Sequence, residues 1–436
     1  MLEDLLASSL LTCSWFSTVV RYVYRALSAG ITSPLLITVP HPTHPQAELV
    51  SALGALLPLY TPLNVREEEK PDKFQKLGLL PVSFIVAYIK WLRTIGYVHL
   101  LELVEAFEAA FTVCRDVGET GPERMSPPRV ADYIKSVFQN GNVKVEVNEN
   151  QELIKEEYPL LAAVNRCANT VKEHQARLIR LEYTGESAIE NTYFMIGKGV
   201  TIDTVLLCRV YDSCYGTSKV FDIAEKLGLA PNVLEVVGYM CMVRNSIGSH
   251  AYTCDEVITS RSGKRIHIYN TDAEGRLTML DPLTKAKEEA LEEINPHILT
   301  IATLTGHEVM TYGYYATLMD NGPARKSGWA RRIQDIGDLY GQPIEISRLQ
   351  PEDFVFHKAE CEQAHLRQGN TKPSTQTMRG HQSPGAFLIM GSRLDEHGCD
   401  SEHPLMFTHI DMGSAPGEHP ETSFPNPLVT LMAGYV

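Results

Sequence analysis

The chain has 436 residues, 44 % hydrophobic and 21 % charged, with 53 acidic against 39 basic side chains and a formal net charge of −14. That length exceeds what one ordinary core supports, so two domains are expected. The acidic balance repels phosphate backbones and anionic lipid, which argues against nucleic acid and membrane surfaces as partners, and it suits a site that gathers carboxylates around cations.

The opening residues, 1–28, carry Leu2, Leu5, Leu6 and Leu10 along one side of an expected helix. Glu3 and Asp4 stand where a secretory leader carries positive charge. No uninterrupted apolar run reaches the ~18 residues that a membrane span requires. Nine cysteines are scattered from Cys13 to Cys399, an odd number without a CxxC pair. They are expected to be reduced core thiols in a soluble, cytoplasmic protein.

Residues 34–40, PLLITVP, predict a short buried strand, and the charged stretch 66–73 a surface loop. From 81 to 111 the pattern is helical, and a domain boundary is expected at about residue 105, giving units 1–104 and 105–436. In 123–138 Ser126 precedes two prolines and a helical repeat, the pattern of a helix start capped by serine. NVKVEV (142–147) and ARLIRLEY (176–183) read as strands, with a helix expected over 160–172 between them. TYFMIGKGVTID (192–203) reads as two strand halves around Gly197 and Gly199. Further strands are expected at 233–243, 264–270 and 297–304, separated by helical stretches. The alternation implies an α/β sheet with helices on its faces. The Gly/Pro/Ser/Thr-rich stretch 367–385 is a long loop of the kind that often carries function.

The strongest chemical signal is Asn270-Thr-Asp-Ala-Glu-Gly-Arg276, directly after the strand KRIHIY. Asp272 and Glu274 are two residues apart and can reach one spot, where their mutual repulsion calls for cations. Hard divalent ions with oxygen ligands are the natural neutralisers. Arg276 adds an always-charged fork suited to an anion. Asn270, Asp272, Glu274, Gly275, Leu277 and Asp281 also fit a loose calcium-loop spacing. A calcium hand, however, needs a helix where this chain alternates like a strand.

Two further blocks flank this one. IGKGVTID (196–203) lies upstream and ATLTG (302–306) downstream. In this order the three blocks resemble the signatures of the leucyl aminopeptidase (cytosol aminopeptidase) family. Weaker likeness runs from Cys114-Arg-Asp116 through PERMSPPR to Phe407-Thr-His-Ile-Asp411, about the last three-quarters of the chain. The resemblance implies an N-terminal α/β domain and a C-terminal α/β/α metallo-exopeptidase domain with a mixed sheet, six chains assembling as a hexamer. It implies metal ligands at Lys198, Asp203, Asp272 and Glu274, for two divalent ions, zinc and/or manganese. Lys198 would have to be neutral to ligate. Arg276 would act with a bound bicarbonate, and the Leu304 carbonyl would receive water or substrate. The implied activity is release of N-terminal amino acids from peptides by two-metal water activation.

The likeness breaks after Thr204. The paired glycines are replaced by Val205 and Leu206, residues 205–219 lack the catalytic lysine, and the segment is about ten residues short. For the fifth ligand, Asp212 fits the local Tyr-Asp-small-Cys pattern, whereas a gapless alignment back from the next helix puts Val210 there. Arg209 or Lys219 could supply charge, although arginine cannot serve as a neutral acid or base. An active peptidase and an impaired, aminopeptidase-like scaffold or binding protein therefore both stay open. His409 and Asp411 are expected in a buried strand, and the histidines show no HExxH spacing.

Overall fold

The computed structural model describes residues 8–41, 44–68, 76–81, 94–201, 234–413, 415 and 422–435. Thirteen strands are named here in chain order: β1 (Leu35–Thr38), β2 (Gly78–Pro81), β3 (Lys144–Asn148), β4 (Arg177–Thr184), β5 (Asn191–Val200), β6 (Leu234–Val243), β7 (Val257–Thr259), β8 (Arg265–His267), β9 (His297–Ala302), β10 (Thr317–Asp320), β11 (Glu345–Ile346), β12 (Leu366–Arg367) and β13 (Met406–Asp411). Eight of them form one mixed sheet in the order β11-β10-β13-β9-β5-β6-β4-β3. Its centre, β13-β9-β5-β6, is parallel. Antiparallel pairs flank that centre on both sides. A small sheet, β12-β8-β7, stands apart, and β1 pairs with β2 near the N-terminus.

The central strands are apolar on both faces because helices cover both. Along β5, Tyr193 and Met195 enter one core with the helix Pro127–Phe138 and with Trp329 and Ile333. Phe194 and Ile196 enter the opposite core with Leu277, Leu280 and Leu283 of the helix Glu274–Ala290, and with Phe387 and Leu388. A third cluster joins Leu49 and Leu53 to Phe107 and Phe111 of the helix Thr94–Glu119, and to Leu428 and Met432 near the other end of the chain. Full burial of each such side chain contributes roughly 1.5–3 kcal/mol.

Ser126 is the N-cap of the helix Pro127–Phe138, with proline in the first turn. A helix does open the described chain, at Ser8–Ser28, while Leu2, Leu5 and Leu6 lie outside the described residues. Several local expectations shift. β1 forms where a buried strand was expected, but Leu35 and Ile37 are exposed, because a two-stranded sheet covers only one face. β5 is one continuous strand rather than two halves. Gly199 permits close approach instead of a break: a Cβ there would sit 2.6 Å from the Cys241 carbonyl oxygen on β6. The helix expected over 160–172 ends at Asn165 and gives way to two 3-10 turns. The helix Thr94–Glu119 runs unbroken through residue 105. Cys254 and Cys399 are exposed rather than in the core. Among the described residues no helix is long and apolar enough to cross a membrane.

A candidate metal and active site at the carboxyl ends of the strands

β5, β9 and β13 run parallel and end on the same side, so the segments that follow them meet there. Pockets of open α/β sheets form at such carboxyl ends. A pocket of about 380 Å³ lies here, lined by Lys198 of β5, by Asp272, Glu274 and Arg276, and by Thr303 to Gly306 after β9. Residues from 369 to 380 of the long loop, and Ser383 in the helix Gln382–Ser392 that ends it, line its far wall.

Glu274 opens the helix Glu274–Ala290 and is fully buried. Its Oε1 lies 3.1 Å from Lys198 Nζ. Lys198 Nζ also donates to the Thr303 carbonyl at 3.2 Å, tying β5 to the turn after β9. Gly275 makes this approach possible, since a Cβ there would stand 2.8 Å from both Lys198 Cδ and Leu304 Cδ1. Asp272 is exposed at the rim, in a turn where Asn270 Oδ1 accepts its N–H at 3.0 Å. Arg276 is buried, and its Nη1 donates to the Gln368 carbonyl at 3.1 Å. Burial pushes its guanidinium down to about 10, opposed by the Glu274 and Asp411 charges, so it is still a cation at neutral pH. Its buried Nε has no hydrogen-bond partner among the described residues.

Of the site residues expected from sequence, the fold brings Lys198, Asp272, Glu274, Arg276 and Leu304 to one pocket. Asp203, Asp212 and the whole altered stretch 205–219 lie outside the described residues. The segment before Asn270 contains β8, and the helix starts only at Glu274, the reverse of a calcium hand. Asp281 is buried in that helix, accepting the N–H groups of Leu160 at 2.7 Å and Arg261 at 2.8 Å, away from the turn.

Three residues that carry the site escaped the sequence. Gln368 is wholly buried and holds the acidic turn. Its Nε2 donates to the Asn270 and Ala273 carbonyls at 2.7 and 2.8 Å. Its Oε1 accepts the Tyr269 and Asn270 N–H groups at 3.2 and 3.0 Å. A lone glutamine in a polar loop gives no signal of this. Lys372, exposed on the same loop, adds a third cation to the pocket lining. Glu308 is buried beside Asp411, and burial together with that charge pushes its carboxyl well above the usual range. Asp411 and its neighbour His409 lie in the buried strand β13, as expected.

The donors suit divalent cations. The pocket offers two carboxylates and an amine, hard and borderline ligands on three separate elements. Among the described residues no three His, Cys, Asp or Glu side chains form a complete cluster. Asp203 and Asp212, both beyond the end of β5, belong to the segment that would have to complete it.

A mixed α/β sheet with helices on both faces thus holds a pocket of carboxylate, amine and guanidinium groups at the carboxyl ends of its strands. Residues 112–424 match the model described as "Cytosol aminopeptidase family, catalytic domain". The chain belongs to that family. It is 64 % identical over 426 residues to "Putative aminopeptidase W07G4.4" of Caenorhabditis elegans, spanning 95 % of this chain and 79 % of that one. It is 28 % identical over 299 residues to the "Probable cytosol aminopeptidase" of Helicobacter hepaticus, spanning 66 % of this chain and 59 % of the relative, so less than two thirds of that protein is represented. Among solved structures, a mutant of tomato leucine aminopeptidase superposes with a TM-score of 0.73 at 17 % identity, covering 97 % of this chain and 78 % of that one. "Bottromycin maturation enzyme BotP in complex with Mn" gives 0.72 at 17 % identity, covering 97 % and 87 %. At such identities the superpositions establish the leucine-aminopeptidase-like fold alone.

Proposed function

We propose that this chain is a metal-dependent aminopeptidase that releases N-terminal residues from peptides, with Lys198, Asp203, Asp272 and Glu274 holding two divalent ions, zinc or manganese. Asp212 is the candidate fifth ligand. The observation that carries the reading is the convergence of Lys198, Asp272, Glu274, Arg276 and Leu304 on one pocket. When bound, the ions would supply Lewis acidity for the scissile carbonyl and for water.

The chain's own groups have separate tasks. Glu274 brings a desolvated carboxylate that orients Lys198 through their 3.1 Å contact. The turn after β9 offers the Leu304 carbonyl to a water or to a peptide N–H. Arg276, with one buried N–H unengaged among the described residues, holds an anion such as bicarbonate near the proton being moved. Within the same reading, residues 1–104 belong to the N-terminal unit and 105–436 to the catalytic one, the two sharing the continuous helix Thr94–Glu119, and the protein works in the cytoplasm as a hexamer.

The test is purified protein incubated with manganese or zinc and a leucyl anilide. Metal-dependent release that is lost in Glu274→Gln supports the reading; no release from protein with an intact melting transition removes it. A second reading, a non-catalytic aminopeptidase-like scaffold or binding protein, is favoured by one observation: residues 205–219 contain lysine only at 219. It predicts metal binding without turnover.

A further inference from the structure

The edge of the small sheet carries a second chemical constellation that the peptidase reading does not use. Cys361 Sγ lies 3.8 Å from His267 Nδ1. The opposite ring nitrogen, His267 Nε2, lies 3.1 Å from Asp255 Oδ1. Thiol, imidazole and carboxylate thus stand in series, with one imidazole nitrogen placed to accept the S–H and the other donating to an acid. That series is the general arrangement of a nucleophile, its base and the group that orients the base.

Several features hold it together. His267 ends β8, whose partner β12 fixes it through the Arg367↔His267 register. The Tyr269 ring packs on the imidazole, with centroids 4.6 Å apart. Tyr269 OH donates to Glu360 Oε2 at 2.9 Å, and Arg367 also pairs with Glu360, which anchors the residue preceding the cysteine. Asp255 adopts a φ of +67°, a left-handed conformation that non-glycine residues seldom take. Its N–H donates to the Ile268 carbonyl at 2.8 Å, so the turn holds that conformation and with it the carboxylate beside the ring. Sparsely populated backbone of this kind concentrates at functional positions. The thiol is half-buried, His267 is 15 % exposed, and the Asp255 side chain is 92 % exposed, so the series opens to solvent.

We propose that Cys361, with His267 as its base and Asp255 as the positioning acid, is a nucleophilic thiol and a site of covalent modification by soft electrophiles. In the modification step the sulfur forms a bond to the electrophilic atom, and the bond to the leaving group breaks. The leaving group departs with the electron pair, and the thiol proton passes to His267 Nδ1. With iodoacetamide as the probe, a C–S bond replaces the C–I bond and iodide leaves.

The experiment alkylates the full-length native protein with limiting iodoacetamide and follows each cysteine by peptide mass spectrometry. Cys399 and Cys254, both exposed, are the internal references. Cys361 should react about a hundredfold faster than Cys399, the scale of a positioned base. His267→Gln should remove that advantage and leave the Cys399 rate unchanged. Asp255→Asn keeps a side chain that tolerates the left-handed backbone, and should slow Cys361 by a smaller factor. An unchanged Cys399 rate and an unchanged thermal transition identify variants that still fold. A Cys361 rate at or below that of Cys399, or a fast rate that survives His267→Gln in a folded protein, overturns the proposal.

Discussion

Asp411, at the end of β13, accepts the Leu304 N–H at 3.1 Å through Oδ1, and Oδ2 of the same carboxylate accepts the Thr305 hydroxyl at 2.6 Å. Oδ1 also takes the Gly413 N–H at 3.2 Å. A buried side chain of one strand therefore sets the conformation of the turn that follows its neighbour. The geometry of the Leu304 carbonyl in the pocket depends on that bond.

Asp411→Asn tests this dependence. The amide cannot accept through both arms, so one of its donors must face the Thr305 hydroxyl or the two N–H groups. Each buried donor left unsatisfied costs roughly 1–3 kcal/mol. The expected result is a loss of that size in urea unfolding, accompanied by a fall in kcat/KM on a leucyl anilide. Unaltered unfolding and kinetics would show that the turn holds itself.

Gln368→Ala should be more damaging than its loop position suggests. The substitution removes four hydrogen bonds that grip the Tyr269–Ala273 turn. A stability loss of roughly 2–5 kcal/mol is expected, since these backbone groups then lack partners. Gln368→Glu is the sharper probe. It retains the two accepted bonds but turns an oxygen toward the Asn270 and Ala273 carbonyls. Manganese affinity measured by calorimetry should fall in both variants, because the Asp272 turn loses its anchor.

The contrast between Gln368 and Glu274 explains how much was legible beforehand. Asp272, Glu274 and Arg276 sit within five consecutive residues, and their repulsion and spacing announce a cation site in the sequence itself. The α/β class followed from strands alternating with helices, and Ser126 with its prolines marked a helix start. Gln368 is about a hundred residues from the turn it holds, with hydrogen-bond partners at separations of 95 to 99. Neither composition nor periodicity encodes such a pairing, which arises only when β12 docks on β8. Gly199 misled for a related reason. Glycine is read locally as a break, but here it serves the close approach of another strand.

Lys372 separates the two functional readings. It is the exposed cation on the far wall, facing the same pocket as Lys198 and Arg276. With no lysine in 205–218, and with Lys198 engaged by Glu274 and the Thr303 carbonyl, Lys372 is, among the described residues, an exposed pocket amine placed to meet negative charge developing on a substrate oxygen. Lys372→Met should leave the fold intact and lower kcat/KM by about a hundredfold, the scale of one lost electrostatic donor. An unchanged kcat/KM would assign Lys372 to solvent and return the question to the altered segment.

Gly275→Ala should act through Lys198 rather than through the helix. The added methyl would stand 2.8 Å from Lys198 Cδ and Leu304 Cδ1, closer than carbon atoms approach. The lysine stem can shift, so overpacking of this kind costs roughly 1–3 kcal/mol at most. Shifting the stem moves Nζ away from Glu274 and the Thr303 carbonyl. Metal affinity and turnover should therefore drop by more than stability does. Equal, small changes in all three would mean that the pocket tolerates a displaced Lys198.

Acid stability gives a test that needs no substrate. His297 and His409 are fully buried on β9 and β13, and each shares a hydrogen bond of 2.9 Å with a threonine hydroxyl across the strand pair. Burial, with nearby cations adding to it, pushes both down from 6.5 to about 3. The native state therefore refuses protons that the unfolded chain accepts, and stability present above pH 6.5 is lost as pH falls toward 3. Each histidine contributes a slope of about 1.4 kcal/mol per pH unit across that window. Glu308 and Asp411, raised by burial, work in the opposite sense, so the informative quantity is a difference between proteins. His409→Gln retains a partner for Thr300 but cannot titrate. Its unfolding free energy, measured by urea melts at several pH values between neutral and mildly acidic, should decline less steeply than that of the unmodified chain. Parallel curves would mean that His409 binds its proton equally in the folded and the unfolded chain, so that its burial carries no pH dependence.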